Sequence, residues 1–285
     1  MNWNFRRPRH YRIGKFILQL TRDHALPRYQ ARFSTYDRFL PILAEHLNSQ
    51  ATVVDVGANV GDTVASMAST NPGLHFLAVE PDPVYLALLR ENVEQMLLVE
   101  PNLSIEVVAA LIADDLTIVG LEGSHGSRRV VVSGDKAQSA PFATLSLDDL
   151  LLPHDPQKVA LIKTDTDGFD WSVIDSGREF FAEFQPMLYF ECEVRAKDSV
   201  RKYSTTLNRL IQNGYVDFHV FDNFGGYLGR LNDPSFFENL MKYAAAQNAG
   251  LIHRTLYYMD VLAVAQKHTE RAAIAVEVFT RGYST

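Results

Sequence analysis

Three short runs, VVDV (53–56), FLAV (76–79) and VALI (159–162), place apolar side chains on both faces of a strand. Strands buried on both faces occur in parallel sheets covered by helices on each side. Between them lie segments with helical signals, so strand and helix alternate, and alternation of this kind argues for a doubly wound α/β sheet. ATVVDVG (51–57) reads as a strand followed by a helix over 62–69, and LHFLAVE (74–80) as a strand followed by a helix over 83–99 that Pro83 opens. LSIEVVAAL (103–111) and VALIKTD (159–165) read as strands, the second leading into a helix from about Trp171. PMLYFECE (186–193) is a strand, and the helix over 199–213 stops at Gly214. YVDFHVFD (215–222) and TLYYMDVLAVA (255–265) are late strands separated by a helical insert over 234–248. The stretch 112–158 breaks the rhythm: LTIVGLEG and RRVVVSG read as short added strands, and TLSLDDLL (144–151) as a return into the sheet.

Upstream, Ile13, Phe16, Ile17 and Leu20 follow the i, i+3, i+4, i+7 pattern, which predicts a short amphipathic helix near 11–21. Phe39, Leu40, Leu43 and Leu47 predict a second helix. The domain division expected is a basic helical extension over 1–48 and one large domain over 49–285. Charge follows this division. The chain carries 27 Lys/Arg and 34 Asp/Glu for a net −7, yet residues 1–38 hold nine basic residues against Asp23 and Asp37. A basic arm on an acidic body allows peripheral contact with an anionic membrane surface, or simply a solvated face packed on the domain. The single cysteine, Cys192, allows no internal disulfide and suits a reducing, cytoplasmic setting. No run approaches the ~20 apolar residues of a membrane span, and no signal peptide is read.

The first strand runs into VVDVGANVGD (53–62), a glycine turn of the kind that meets ligands at the carboxyl edge of an open sheet. A dinucleotide fingerprint needs G-x-G-x-x-G, but counting from Gly57 its later glycines fall on Asn59 and Asp62. A phosphate loop fails too, because no G-K-[ST] follows. The turn suits a ligand with a cationic end. Asp55 at the strand tip can hold an ammonium, and Glu80, ending the second strand, can take both hydroxyls of a ribose. An aminoacyl group, a ribose and no phosphate describe S-adenosylmethionine (SAM).

DVGANVGD, AVEPDP, TLSLDDLL, LIKTDTDGFDWSVIDSG, PMLYFECE and YYMDVLAVA stand in the order and spacing of FkbM-type SAM-dependent methyltransferases. The resemblance spans about 50–265, with a looser match at HALPRYQARFSTYDRFLPIL (24–43). It implies a class I methyltransferase fold: a seven-stranded Rossmann-like sheet with the last strand antiparallel and SAM beside the first two strand tips. Carried over residue by residue, Asp55, Gly57, Asn59 and Gly61 match the first motif and Glu80 the ribose-binding acid. Pro81 and Asp82 would flank the adenine edge, Ala109 and Ala110 would meet adenine, and Asp165 would face the methionine part and the acceptor. Where the family commonly has D-x-E-G, this chain has Asp165-Thr166-Asp167-Gly168, an acid shortened by one methylene.

Methyl transfer to a hydroxyl needs alignment and a proton acceptor. Candidates at strand tips on one rim are Asp165, Asp167, Glu191, Glu193 and Asp222, and His125, in the polar loop HGSRR, is placed to reach the same mouth. A Mg²⁺ ion held by Asp165, Glu191, Asp222 and Asn223 is the weaker alternative, since nothing fixes a ligand spacing. The expected reaction is O-methylation of a sugar, a glycan or a polyketide-like product, and FDNFGGYLGR (221–230) favours a sugar. Alternatives are a non-catalytic SAM-binding module and an NAD-dependent oxidoreductase, the latter opposed by the failed glycine spacing. An acidic body without N-P-P-[YF] argues against a nucleic-acid acceptor.

Overall fold

The structure is a computed structural model, and it describes residues 9–114, 120–122, 129–131, 143–195 and 197–282. The chain begins with strands β1 (Arg9–Ile13) and β2 (Phe16–Leu20), then helices α1 (Leu26–Arg32) and α2 (Phe39–Glu45). Next come β3 (Thr52–Val56), α3 (Asp62–Thr70), β4 (His75–Val79), α4 (Pro83–Val99) and β5 (Ser104–Val108). The short strands β6 (Ala110–Ile112), β7 (Gly120–Glu122), β8 (Arg129–Val131) and β9 (Ala143–Leu145) precede helix α5 (Leu147–Leu151). Then follow β10 (Val159–Thr164), α6 (Asp170–Asp175), α7 (Arg178–Glu183), β11 (Met187–Glu193), α8 (Lys197–Gln212), β12 (Tyr215–Asp222) and β13 (Tyr227–Leu231). The chain closes with α9 (Pro234–Asn248), β14 (Tyr258–Ala265) and α10 (Thr269–Arg281). None of the described helices is long and apolar enough to cross a membrane.

The main sheet runs β13-β12-β14-β11-β10-β3-β4-β5. From β5 to β11 the pairs are parallel, and β14 is antiparallel between β11 and β12. Seven of these strands have the expected arrangement. The eighth, β13, is an addition: FDNFGGYLGR turns back and pairs antiparallel with β12 at the sheet edge. The two-sided apolar strands sit in the middle, as burial requires. Val53, Phe76 and Leu161 pack on one face against α2, α3 and α10, while Val54, Leu77 and Ile162 pack on the other against α5, α6, α8 and α9.

Two expectations within the insert are corrected. The third strand does not run through to 111. It breaks at Ala109, and β6 leaves the main sheet to pair with β9 in a parallel two-stranded sheet. TLSLDDLL therefore does not return into the main sheet. It supplies β9 and then α5, whose N-cap Ser146 accepts a bond from the Asp149 amide. His125 lies outside the described residues.

The expected helix at 11–21 is a β-hairpin instead. Gly14 (φ +54°) makes the turn, and a Cβ there would overlap the Ser69 side chain. Phe16, Leu18 and Leu20 are buried and Ile17 is exposed, which is the period of two of a strand with one face inward. The hairpin is locked on α4 through Asn92. Its Oδ1 accepts from the Gln19 amide (2.7 Å), and its Nδ2 donates to the Gln19 and Val60 carbonyls (3.0 and 2.8 Å). The N-terminal extension is thus a hairpin followed by two short helices, packed into the same core as the domain.

Candidate active site

β3 ends where it must leave the sheet, and Gly57 (φ +80°) makes that exit. A Cβ at Gly57 would overlap the carbonyl oxygen of Asp165, so the turn after β3 and the turn after β10 touch only because residue 57 is glycine. Two adjoining cavities open at this junction. One, of about 50 Å³, is bounded by Val56, Gly57, Asn59, Glu80 and Pro81, by the apolar wall Ala110, Leu111 and Ile112, and by Asp165 and Asp167. The other, of about 270 Å³, shares Gly57, Asn59, Asp165 and Asp167 with it and adds Asp62, Lys163, Tyr189, Glu191, Tyr258 and Asp260. The N-terminal extension supplies part of its wall, including His24, Tyr36 and Asp37. His24 Nε2 lies 3.3 Å from Asn59 Oδ1.

Glu80 is buried at the end of β4. Its Oε2 accepts from the Asn59 amide and its Oε1 from the Asp82 amide, both at 2.8 Å. Burial raises its pKa to about 7, and those two amides only partly offset it. Asp82 caps α4, its Oδ1 accepting from the Val84 and Tyr85 amides. Its carboxylate is thereby committed to the helix, while Pro81 lines the smaller cavity. Ala110 is buried in that cavity's wall, and Ala109 stands exposed at the break before it.

Asp55 is fully buried and does not stand open at the rim. Its carboxylate faces Lys163, whose Nζ lies 2.9 Å from Oδ1. Burial raises the Asp55 pKa, and Lys163 pulls it back. Burial alone would lower the Lys163 pKa, but Asp55 and then Asp165 outweigh it and hold the ammonium charged. Lys163 Nζ also donates to the Gly57 carbonyl (3.3 Å) and approaches Asp165 Oδ2 at 3.7 Å. An ammonium-binding role for Asp55 therefore has to pass through this ion pair.

Asp165 is exposed to the cavities and Asp167 is partly so, at φ +54° just before Gly168. Asp170 does not cap α6, as its place before Trp171 implies. It is the first helical residue, and its carboxylate turns inward to accept from Thr164 Oγ1 (2.9 Å) and the Thr166 amide (3.4 Å). Burial, then Asp165, raises its pKa to about 7. Glu191 pairs directly with Asp260 across the antiparallel β11–β14 ladder. Neighbours in that register share a face, and like charges there repel. Glu191 is buried and its Oε2 has no hydrogen-bond partner. Burial, then Asp165 and Asp167, holds its pKa well above the carboxylate range. Asp260 is raised likewise by burial and then by Asp165 and Asp37.

A chain segment matching the methyltransferase FkbM domain spans residues 55–220. The chain belongs to the FkbM methyltransferase family. The FkbM methyltransferase of Methylobacillus flagellatus is similar in structure, with 13% identity and a TM-score of 0.46 over 84% of this chain, which spans 58% of that one. Precorrin-6y C5,15-methyltransferase from Geobacter metallireducens matches with 11% identity and a TM-score of 0.41 over 79% of this chain and 86% of its own. TYW2 from M. jannaschii in complex with AdoMet matches with 10% identity and a TM-score of 0.44 over 90% and 84%. No curated protein matches the chain.

The FkbM domain's motif residues meet from distant parts of the chain, but Glu193, Asp222 and Asn223 do not join them, Glu193 being paired with Arg195 away from both cavities. Asp222 Oδ1 accepts from the Phe224 and Gly226 amides and shapes the β12–β13 turn. Asn223 is buried with its Oδ1 on the Tyr257 amide. Neither lines the two cavities, so the four-residue Mg²⁺ set does not converge. The sequence reading missed Lys163, Asp260 and Asp37. For Lys163 a signal existed, a lone lysine in the apolar run VALIKTD. Asp260 and Asp37 carried none, because only the pairing of β14 with β11 and the folding-back of the extension bring them in.

The donor set fits SAM. An acid with two oxygens stands beside an apolar-walled cleft, as an adenosine requires, and the adjoining cavity is rich in carboxylates, as a sulfonium with an ammonium requires. Buried atoms without partners there, Thr166 Oγ1, Glu191 Oε2 and Asp55 Oδ2, leave hydrogen-bonding capacity at the site.

Proposed function

We propose that this FkbM domain is a SAM-dependent O-methyltransferase whose acceptor is a hydroxyl of a sugar, a glycan or a polyketide-like product. The observation that carries the reading is the pair of adjoining cavities that share Gly57, Asn59, Asp165 and Asp167. The smaller one marks where the ribose edge of the nucleoside meets Glu80. The larger, acid-lined one takes the methionine end and the acceptor. The FkbM resemblance supports SAM as the methyl donor.

When bound, SAM supplies an electrophilic methyl on a sulfonium. The chain's own residues then do three things. Glu80 fixes the ribose hydroxyls. Asp165, beside Lys163, sets the field around the cationic centre. Asp167 or Glu191 accepts the proton that the acceptor hydroxyl releases as its oxygen bonds to carbon. Glu191 lines the larger cavity opposite Asp260, which makes it the second candidate for that proton. Lone, buried Cys192 keeps a cytoplasmic location as part of this reading.

Calorimetric titration with SAM, followed by transfer of labelled methyl to a panel of sugars and hydroxylated natural products, tests it. Micromolar SAM binding that weakens in Glu80→Ala, together with label on an acceptor oxygen, is expected. Absence of SAM binding by the folded protein would overturn the reading. Binding without transfer to any hydroxyl would favour a non-catalytic module.

A further inference from the structure

A second cleft, of about 250 Å³, adjoins the acid-lined cavity and has the opposite charge. It is lined by Arg28, Tyr29, Arg32, Phe33, Phe224 and Tyr257. Tyr29 lines both, and Phe224 and Tyr257 precede Gly225 and Tyr258 of the larger cavity's wall. α1 is held against the β12–β13 turn here. Phe33 stacks on Phe224 (centroids 4.0 Å apart, planes at 24°), and Thr35 Oγ1 donates to the Phe224 carbonyl at 2.9 Å.

Three guanidiniums ride on these rings. Arg28 lies over Tyr29, Arg32 over Phe33, and Arg254 over Tyr257, at 5.7, 5.3 and 4.2 Å from the centroids, and Arg254 Nε donates to Asn248 Oδ1. All three are exposed, and among the described ion pairs none of them meets a carboxylate. Arg28 and Arg32 stand at i and i+4 on a helix with no acid in its first turn, where like charges repel. The mutual repulsion of these guanidiniums is relieved when an anion sits between them. The aromatic faces between the guanidiniums suit a flat or ring-shaped group, and guanidiniums suit a phosphate or carboxylate held by two donors.

We infer that this cleft is the anchoring subsite of the methyl acceptor, and that the acceptor is an anionic sugar, with a phosphate or carboxylate beside the ring that is methylated. The inference rests on the methyltransferase reading above and adds the charge of the substrate. The anion sits between Arg28 and Arg32 of the lining, with Arg254 beside it on the Tyr257 ring, and the ring's far edge reaches past Tyr29 towards Asp167 and Glu191. The cofactor pocket attracts cations and the anchoring cleft attracts anions, so donor and acceptor sort themselves by charge.

The test is saturation-transfer NMR on the full chain with three probes: glucose, glucose 1-phosphate and glucuronate. At least a tenfold preference for a charged probe over glucose is expected, falling steeply with added salt. In Arg32→Gln and Arg254→Gln, both exposed positions, that preference should shrink at least fivefold, with unchanged melting temperature and unchanged SAM titration. Equal or absent binding of charged and neutral probes overturns the inference, as does a preference indifferent to both substitutions. Binding of phosphatidylserine vesicles that disappears in these variants, without discrimination among the sugars, overturns it in favour of a lipid surface. SAM titration is measured separately, so failure of the methyltransferase reading is recognised independently.

Discussion

Lys163 and Asp55 are register partners on adjacent parallel strands at the middle of the sheet, with Nζ 2.9 Å from Oδ1 and side-chain exposures of 6% and 0%. The pair ties the first motif strand to the strand that carries Asp165. Removing one partner leaves the other charge buried and uncompensated, which costs about 3–5 kcal/mol, whereas replacing both by apolar groups costs far less. Lys163→Met should therefore lower unfolding stability by that amount in urea titrations, and Asp55→Val combined with Lys163→Met should recover most of the loss. A loss below about 1 kcal/mol in Lys163→Met would show that the pair holds nothing together.

Glu80 and Asp170 have folded-state pKa values raised to about 7. A carboxyl raised by folding binds its proton more tightly in the native state, so its contribution is present at low pH and is lost as pH rises through the folded value. His219 and His268, lowered by burial to about 4, act in the opposite direction, and most of their effect is in place by pH 6.5, with a small remainder up to about pH 7.5. Between pH 6.5 and 8 the acids prevail. Asp37, raised to about 8 by burial and then by Asp62 and Asp165, adds to this fall, so the ligand-free protein should lose at least roughly 1 kcal/mol for each of Glu80 and Asp170, seen as a falling melting temperature. Glu80→Gln should remove only the Glu80 part of that fall. A melting temperature that rises across this interval would contradict the assignment.

Asp167 occupies the left-handed region at φ +54°, which asparagine tolerates as well as aspartate. Asp167→Asn should leave stability within about 0.5 kcal/mol. If Asp167 is the base, kcat should fall about 10²-fold while SAM binding holds. Preserved kcat in the variant would move the proton acceptor to Glu191.

Gly57→Ala places a Cβ against the Asp165 carbonyl at φ +80°. Strain of this kind costs about 1–3 kcal/mol even before the clash is relieved. Parting the two turns should also widen the shared wall of both cavities. SAM affinity should drop at least tenfold, read by calorimetry on the folded variant, and an unchanged affinity would refute the cradle at Gly57.

Leu18 is fully buried in the hairpin. Leu18→Ala should cost about 2–5 kcal/mol, the range for a core leucine. A cost under about 1 kcal/mol in thermal or urea unfolding would show the hairpin to be separable from the domain.

The central sheet was legible because its strands are apolar on both faces and its helices carry their own stops and starts, as with Pro83 and Gly214. The hairpin was not. Ile13, Phe16, Ile17 and Leu20 satisfy a helical period, while Phe16, Leu18 and Leu20 satisfy a strand period, and only Gly14 in its positive-φ turn decides between them. In the site, residues that stand directly after a strand were readable by position: Gly57, Glu80 and Asp165. Charges neutralised by partners far along the chain were not. Asp55 looks like an open acid until Lys163 is seen beside it, and Glu191 looks ordinary until Asp260 is paired opposite.

Asp55 and Lys163 are also separated in time. A ribosome adding about 5–20 residues per second needs on the order of 5–20 s to make the lysine after the aspartate. During that interval β3 can pair with β4 on one side only, its other edge is unpaired, and its carboxylate has no counter-charge to enter a core with. A charged side chain on an unpaired edge disfavours wrong strand pairing, so the same aspartate that needs Lys163 in the folded sheet protects that edge before β10 is made.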